Sequence, residues 1–163
     1  MNSGPKTVAR RLGGIVVTLL ALGPAVLGAA PAAQASAPGP AAIAAYQARV
    51  VYWINNQRAA YGRGRLSWGW CPQVFADNWA IHLARTGTFY HQSMYPILRR
   101  CPRATVAAEN LARGNVGPSA IVAAWMASPG HRANILDGRL NRIGVCAVYA
   151  RGEWVVSADF TRQ

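Results

Sequence analysis

Acidic residues are scarce, with five Asp and Glu against 17 Lys and Arg in 163 residues, and only 13% of the chain is charged. Lysine is scarcer still: Lys6 is the only one, and every other basic residue is arginine. Cysteine stops at three, too few for a disulfide-rich scaffold and an odd number for an exported chain. Motifs that would declare a common chemistry are also missing. No HExxH, GxSxG, Walker A or paired CxxC occurs, which removes the usual signatures of zincin proteases, elbow-type serine hydrolases, nucleotide binders and zinc ribbons. After the first 35 residues no apolar run is long enough to span a membrane.

What is present points to one folded domain behind an export signal. Six Trp, six Tyr and three Phe are enough to build a core, which argues against disorder. Lys6, Arg10 and Arg11 form a basic start, Leu12 to Leu27 an apolar stretch, and Ala33-Gln34-Ala35 a small-x-small cleavage pattern, so residues 1–35 are expected to be a signal peptide cut after Ala35. Its removal takes three of the 17 basic residues and no acid, leaving 14 against 5. Such a surplus favours polyanionic partners such as lipid headgroups or envelope polymers, and export argues against nucleic acid. A GC-rich coding bias would produce the same arginine excess.

Residues 36–45 read as a linker running into the first helix, and the domain as 46–163. Ile43, Tyr46, Val50, Trp53 and Ile54 mark an amphipathic helix over Ala41–Tyr61. A second helix is expected from Pro72 to near Gly87, with Phe75, Trp79 and Leu83 along its inner face. Ser119 is the expected cap of a short helix carrying Ile121, Val122, Trp125 and Met126, broken by Ser128-Pro129-Gly130. Two strand-like runs, Ile143–Ala150 and Glu153–Phe160, are joined around Arg151-Gly152 as a hairpin whose first strand is covered on both faces. Cys71 is the favoured partner of Cys101, since the two flank a segment that must be tied back, and a loop of about 30 residues would contribute roughly 3.6 kcal/mol. The sequence leaves the other two pairings open, and Cys146 lies in an apolar run.

The reactive candidates are few. His91 and His131 stand where loops meet structure, and Glu109 lies in an apolar stretch where a carboxylate needs a partner. His82 reads as a rim residue, Asp77, Asp137 and Glu153 as surface or turn residues, and Asp159 as half of an ion pair near the end of the last strand. Arg99, Arg100 and Arg103 cluster around Cys101.

Several segments together resemble the CAP superfamily, the SCP-type domain of cysteine-rich secretory proteins, venom allergens and plant pathogenesis-related proteins, in its short bacterial form. They are Asn55-Asn56-Gln57-Arg58, Phe89-Tyr90-His91, Ala108-Glu109-Asn110-Leu111, the run from Trp125 to Leu136, Ile143-Gly144-Val145 and the strand closing at Phe160. The resemblance implies an α+β fold, an α-β-α sandwich with a small, mainly antiparallel sheet between helices. It also implies a cleft of two histidines and two acids, three of which match His91, Glu109 and His131. Ser128 stands where the second acid is expected. Those three residues would still suit Zn²⁺ with an open fourth position.

The expected activity is binding, outside the cell or at its envelope, of a lipid, metal or protein ligand. The alternatives are a metal-assisted hydrolase with His91 or His131 as base and Glu109 as acid or orienter, and a cationic adhesin for anionic envelope polymer. A glycosidase would need a second acid near Glu109, for which Asp137 is the candidate.

Overall fold

The computed structural model describes residues 37–163; the expected signal peptide and its cleavage point lie outside the described residues. Five helices and four strands follow in the order α1 (Pro40–Ala60), β1 (Ser67–Trp68), α2 (Trp70–Thr86), α3 (Tyr95–Arg100), β2 (Val106–Gly114), α4 (Pro118–Ala127), α5 (Pro129–Leu136), β3 (Arg142–Ala150) and β4 (Glu153–Arg162). The sheet order is β1-β3-β4-β2, with the short β1–β3 pair parallel and both long pairs antiparallel. The expected α+β sandwich is therefore the observed fold.

Strand alternation divides the core between two helical layers. Val145, Ala147, Val156, Ala158 and Phe160 face α1, α4 and α5, where Val50, Ile54, Ile121, Trp125 and Ile135 close the main cluster. The opposite residues Leu111, Cys146 and Val155 face α2, where Ala76, Ala80, Leu83 and Ala84 receive them. All these clusters lie within residues 37–163. No helix among the described residues is long and apolar enough to cross a membrane.

Local chemistry explains where the elements begin and end. Pro40 and Pro118 open α1 and α4 in the first helical turn, where a missing N–H costs nothing. Gly117, not Ser119, is therefore the N-cap of α4. In α1, Tyr46, Val50, Ile54 and Arg58 recur every four residues on the inner face, which leaves Trp53 exposed. In α2 the inner stripe is Ala76, Ala80 and Leu83, because small residues let the helix lie close to β3, and Phe75 and Trp79 move to its flanks. This helix starts at Trp70, two residues ahead of Pro72, and stops at Gly87 in the left-handed conformation. Arg151 and Gly152 both have positive φ, the type I′ geometry that suits a tight hairpin. Cys71 and Cys101 are bonded, tying the start of α2 to the end of α3, while Cys146 is free and buried.

Candidate functional site

The site forms around the free edge of β2. Along that edge the carbonyls of Glu109 and Leu111 point away from β4 and would be unpaired without side-chain donors. Asn134 of α5 donates to the Glu109 carbonyl at 3.0 Å, and the Trp125 indole of α4 donates to that of Leu111 at 2.8 Å. Asn134 also donates to Asn110 Oδ1, and Asn110 Nδ2 donates to the carbonyl of His131. These bonds dock α4 and α5 on β2 and set the position of His131. From the other layer, the segment after α2 brings in His91, held by Trp79 Nε1 donating to the Tyr90 carbonyl and by the His82–Tyr90 hydroxyl contact at 2.9 Å.

His91 and His131 thus arrive from opposite layers, their ring centroids 6.2 Å apart. His91 Nδ1 lies 2.5 Å from Glu109 Oε2, an exposed imidazole (58%) against a buried carboxylate (2%). This contact fixes the ring and leaves its Nε2 without a hydrogen-bond partner among the described residues. The other Glu109 oxygen accepts from Gln92 Nε2 at 2.8 Å, and the same nitrogen reaches both Asp159 oxygens, at 3.1 and 3.0 Å. Asp159 pairs directly with Glu109 across β2 and β4, so both side chains leave the same face of the sheet. Asp159 is fully buried, and no cationic side chain lies within 4.0 Å of it among the described residues. The expected ion pair is therefore absent; Asp159 is instead the second carboxyl of the site. It comes from β4, and Ser128 lines the neighbouring groove. Asp137 pairs with Arg139 on the surface and takes no part.

Burial raises the Asp159 carboxyl well above its ordinary range, and the charge of Glu109 adds to the effect. Glu109 is raised by burial and held down in part by its bonds to Gln92 and His91. His131 is lowered, first by burial and then by His91, which favours its neutral form. Between an unfolded carboxyl value near 4 and the raised folded value, native Asp159 keeps a proton that the unfolded chain has released. Stability from this group should therefore fall as pH rises through that window. Asp159→Asn keeps the shape without the charge and should make the slope shallower. Its melting temperature is expected to gain on the parent protein as pH goes from about 4 to about 7; a pH-independent difference would contradict this account.

The resemblance also implies zinc. No group of three His, Cys, Asp or Glu side chains among the described residues has the arrangement of a metal site. Both Glu109 oxygens are already engaged, so the geometry suits Glu109 as the residue holding His91 from behind, with the imidazoles as the available donors.

Beside His131 opens an apolar groove of about 440 Å³, lined by Phe89, Leu111, Val116, Ile121, Ala124 and Trp125, with Arg113 and His131 among its polar members. Arg113 holds one wall in place, donating to the carbonyls of Gly87 and Thr88 with its guanidinium 4.9 Å from the Phe89 ring centroid. Gln92 and Asp159 had no visible signal beyond adjacency to His91 and a place on the last strand.

Fold and cleft define a class: a small α-β-α module whose two helical layers each bring one histidine to the free edge of the sheet. Residues 51–160 match the model of the cysteine-rich secretory protein family, and the chain belongs to that family. A curated relative, the uncharacterized protein YkwD of Bacillus subtilis (strain 168), is 30% identical over 121 residues, 71% of this chain and 47% of the relative. The chain thus spans about half the length of that relative. Among solved structures, an extracellular SCP-domain protein of Bacillus anthracis aligns with TM-score 0.66 and 21% identity, over 79% of this chain and 45% of its own. An outer surface protein of Borrelia burgdorferi aligns with TM-score 0.64 and 20% identity, over 70% of this chain and 90% of its own.

Proposed function

We propose that this protein is a secreted, non-enzymatic binding module that works outside the cell or at its envelope and takes a lipid into the groove beside His131. The groove carries this reading. Its volume lies in the range of small-ligand sites, its walls are apolar, and it ends at an imidazole whose ring makes no hydrogen bond among the described residues. An acyl chain would find dispersion contacts along Leu111, Ile121 and Trp125, with a polar head within reach of His131. The carboxyls favour binding over hydrolysis, since Glu109 is engaged by His91 and Gln92 and Asp159 is buried behind them and bonded to Gln92. The export signal expected in residues 1–35 supports the location.

Ala124→Trp, at an exposed lining position, should fill the groove without disturbing the core. Titration with a fluorescent fatty acid is expected to saturate at one equivalent for the parent protein. The variant should bind at least about tenfold more weakly, the loss of some 1.4 kcal/mol. Linear, non-saturating uptake or equal affinity in the variant would count against the groove.

A further inference from the structure

Exposed aromatic residues and unpaired arginines gather around the Cys71–Cys101 bond, on side chains that the groove does not use. Cys71 is the second residue of α2 and Cys101 the C-cap of α3, and their Cα atoms lie 5.5 Å apart. The bond therefore brings Trp70 beside the segment that carries Arg99, Arg100 and Arg103. Within α3, Ile97 is buried against the disulfide, and Tyr95 and Arg99, two positions before and after it, fall on the opposite side of the helix. The Arg99 guanidinium lies 6.0 Å from the Tyr95 ring centroid. Tyr95 is 67% exposed, Trp70 60% and Leu98 37%.

None of the three arginines has a carboxylate within 4.0 Å among the described residues, and residues 1–36 contain no Asp or Glu. The five acids are committed elsewhere. Glu109 and Asp159 are buried, Asp137 and Glu153 pair with Arg139 and Arg113, and Asp77 accepts from Gln73. An anionic polymer would neutralise the arginines and leave Trp70, Tyr95 and Leu98 in water. A bilayer satisfies both, with anionic headgroups for the guanidinium groups and an interfacial zone that suits Trp, Tyr and Leu.

We propose that the face around the Cys71–Cys101 bond docks the protein peripherally on an anionic lipid bilayer. Arg99, Arg100 and Arg103 meet the headgroups, and Trp70, Tyr95 and Leu98 enter the interface. Met94, just ahead of α3, lines the hollow in front of His91 and Glu109, so a docked protein would hold its cleft near the membrane. The inference stands apart from the groove reading, because its residues do not line the groove.

Co-sedimentation of the chain beginning at Ser36, which holds the whole described core, tests it with vesicles of phosphatidylglycerol and phosphatidylcholine in equal parts, beside vesicles of phosphatidylcholine alone. Binding to the anionic vesicles is expected, weakening as salt is added. Joint replacement of Arg99, Arg100 and Arg103 by Ala should weaken it about a hundredfold, at roughly 1 kcal/mol for each arginine. Trp70→Ala should weaken binding while leaving its salt dependence unchanged. All substituted side chains are exposed, and unchanged melting temperatures would confirm the fold. Equal binding to both vesicle types, or an arginine variant that binds as well as the parent, would overturn the proposal. So would binding to a soluble anionic polymer that matches vesicle binding and ignores Trp70→Ala.

Discussion

Arg58→Ala is expected to cost roughly 3–5 kcal/mol, a large share of the roughly 5–15 kcal/mol that holds a typical domain folded. Arg58 stands in the last turn of α1 and is 1% exposed. Its Nε donates to the carbonyl of Gly64 at 2.7 Å, Nη1 to those of Ile135 and Asp137 at 2.7 and 2.9 Å, and Nη2 to that of Leu140 at 3.1 Å. One planar fork thus ties the turn after α1 to the connection from α5 to β3, beside the short β1–β3 pairing. Alanine removes the side-chain donor from the carbonyls of Gly64, Ile135 and Leu140, leaves that of Asp137 with only the Leu140 N–H at 3.3 Å, and opens a cavity where the side chain lay. Arg58→Lys keeps the charge, yet three donors on one nitrogen cannot reach the same set, so it should recover only part of the loss. Urea unfolding with an unchanged m-value measures both variants. A stability for Arg58→Ala within about 1 kcal/mol of the parent protein would refute this role.

Gly144→Ala is expected to be nearly as damaging, for a reason of space alone. A Cβ on Gly144 would fall within 3.0 Å of the backbone of Pro72 and Gln73 at the start of α2. Overpacking usually costs about 1–3 kcal/mol because neighbouring side chains shift. Here the obstacle is helix backbone, and it is fixed twice. Gln73 bonds Val145 in both directions, by Nε2 to the carbonyl at 2.9 Å and by Oε1 from the N–H at 3.1 Å, while the disulfide holds Cys71. The cost should therefore reach the top of that range, about 3 kcal/mol, with faster amide exchange along β3. A variant within about 0.5 kcal/mol of the parent would show that α2 can retreat from the sheet at little cost.

The features legible from the chain are those with local causes. The hairpin is readable because Arg151-Gly152 separates two apolar runs, and the break at Ser128-Pro129-Gly130 because proline cannot continue α4. The His91, Glu109 and His131 set is legible through motif order, and the structure brings the three together at one edge. Other features have no local signature. β2 carries Ala-Ala-Glu-Asn-Leu, without the β-branched alternation that marks a strand, and becomes one because β4 offers it a partner. On the inner face of α2 Leu83 lies where expected, but Ala76 and Ala80 take the places expected of Phe75 and Trp79, because large aromatic residues suggest burial whereas close packing on β3 selects alanine.

By itself, then, the sequence determined what depends on neighbours along the chain: the stop of α2 at Gly87, the break after α4, the hairpin turn, the motif order that assigns the family, and the excess of arginine. The tertiary structure alone decided what depends on neighbours across space. Asp159 became the buried partner of Glu109 because strand register sets the two face to face, and Gln92 became their common donor because the segment after α2 crosses them there. Arg58 became a keystone because carbonyls far along the chain converge on it. Hydrogen bonds and burial act over a few ångströms of space, whatever the separation along the chain, so these assignments appear only when the sheet and its two helical layers are assembled.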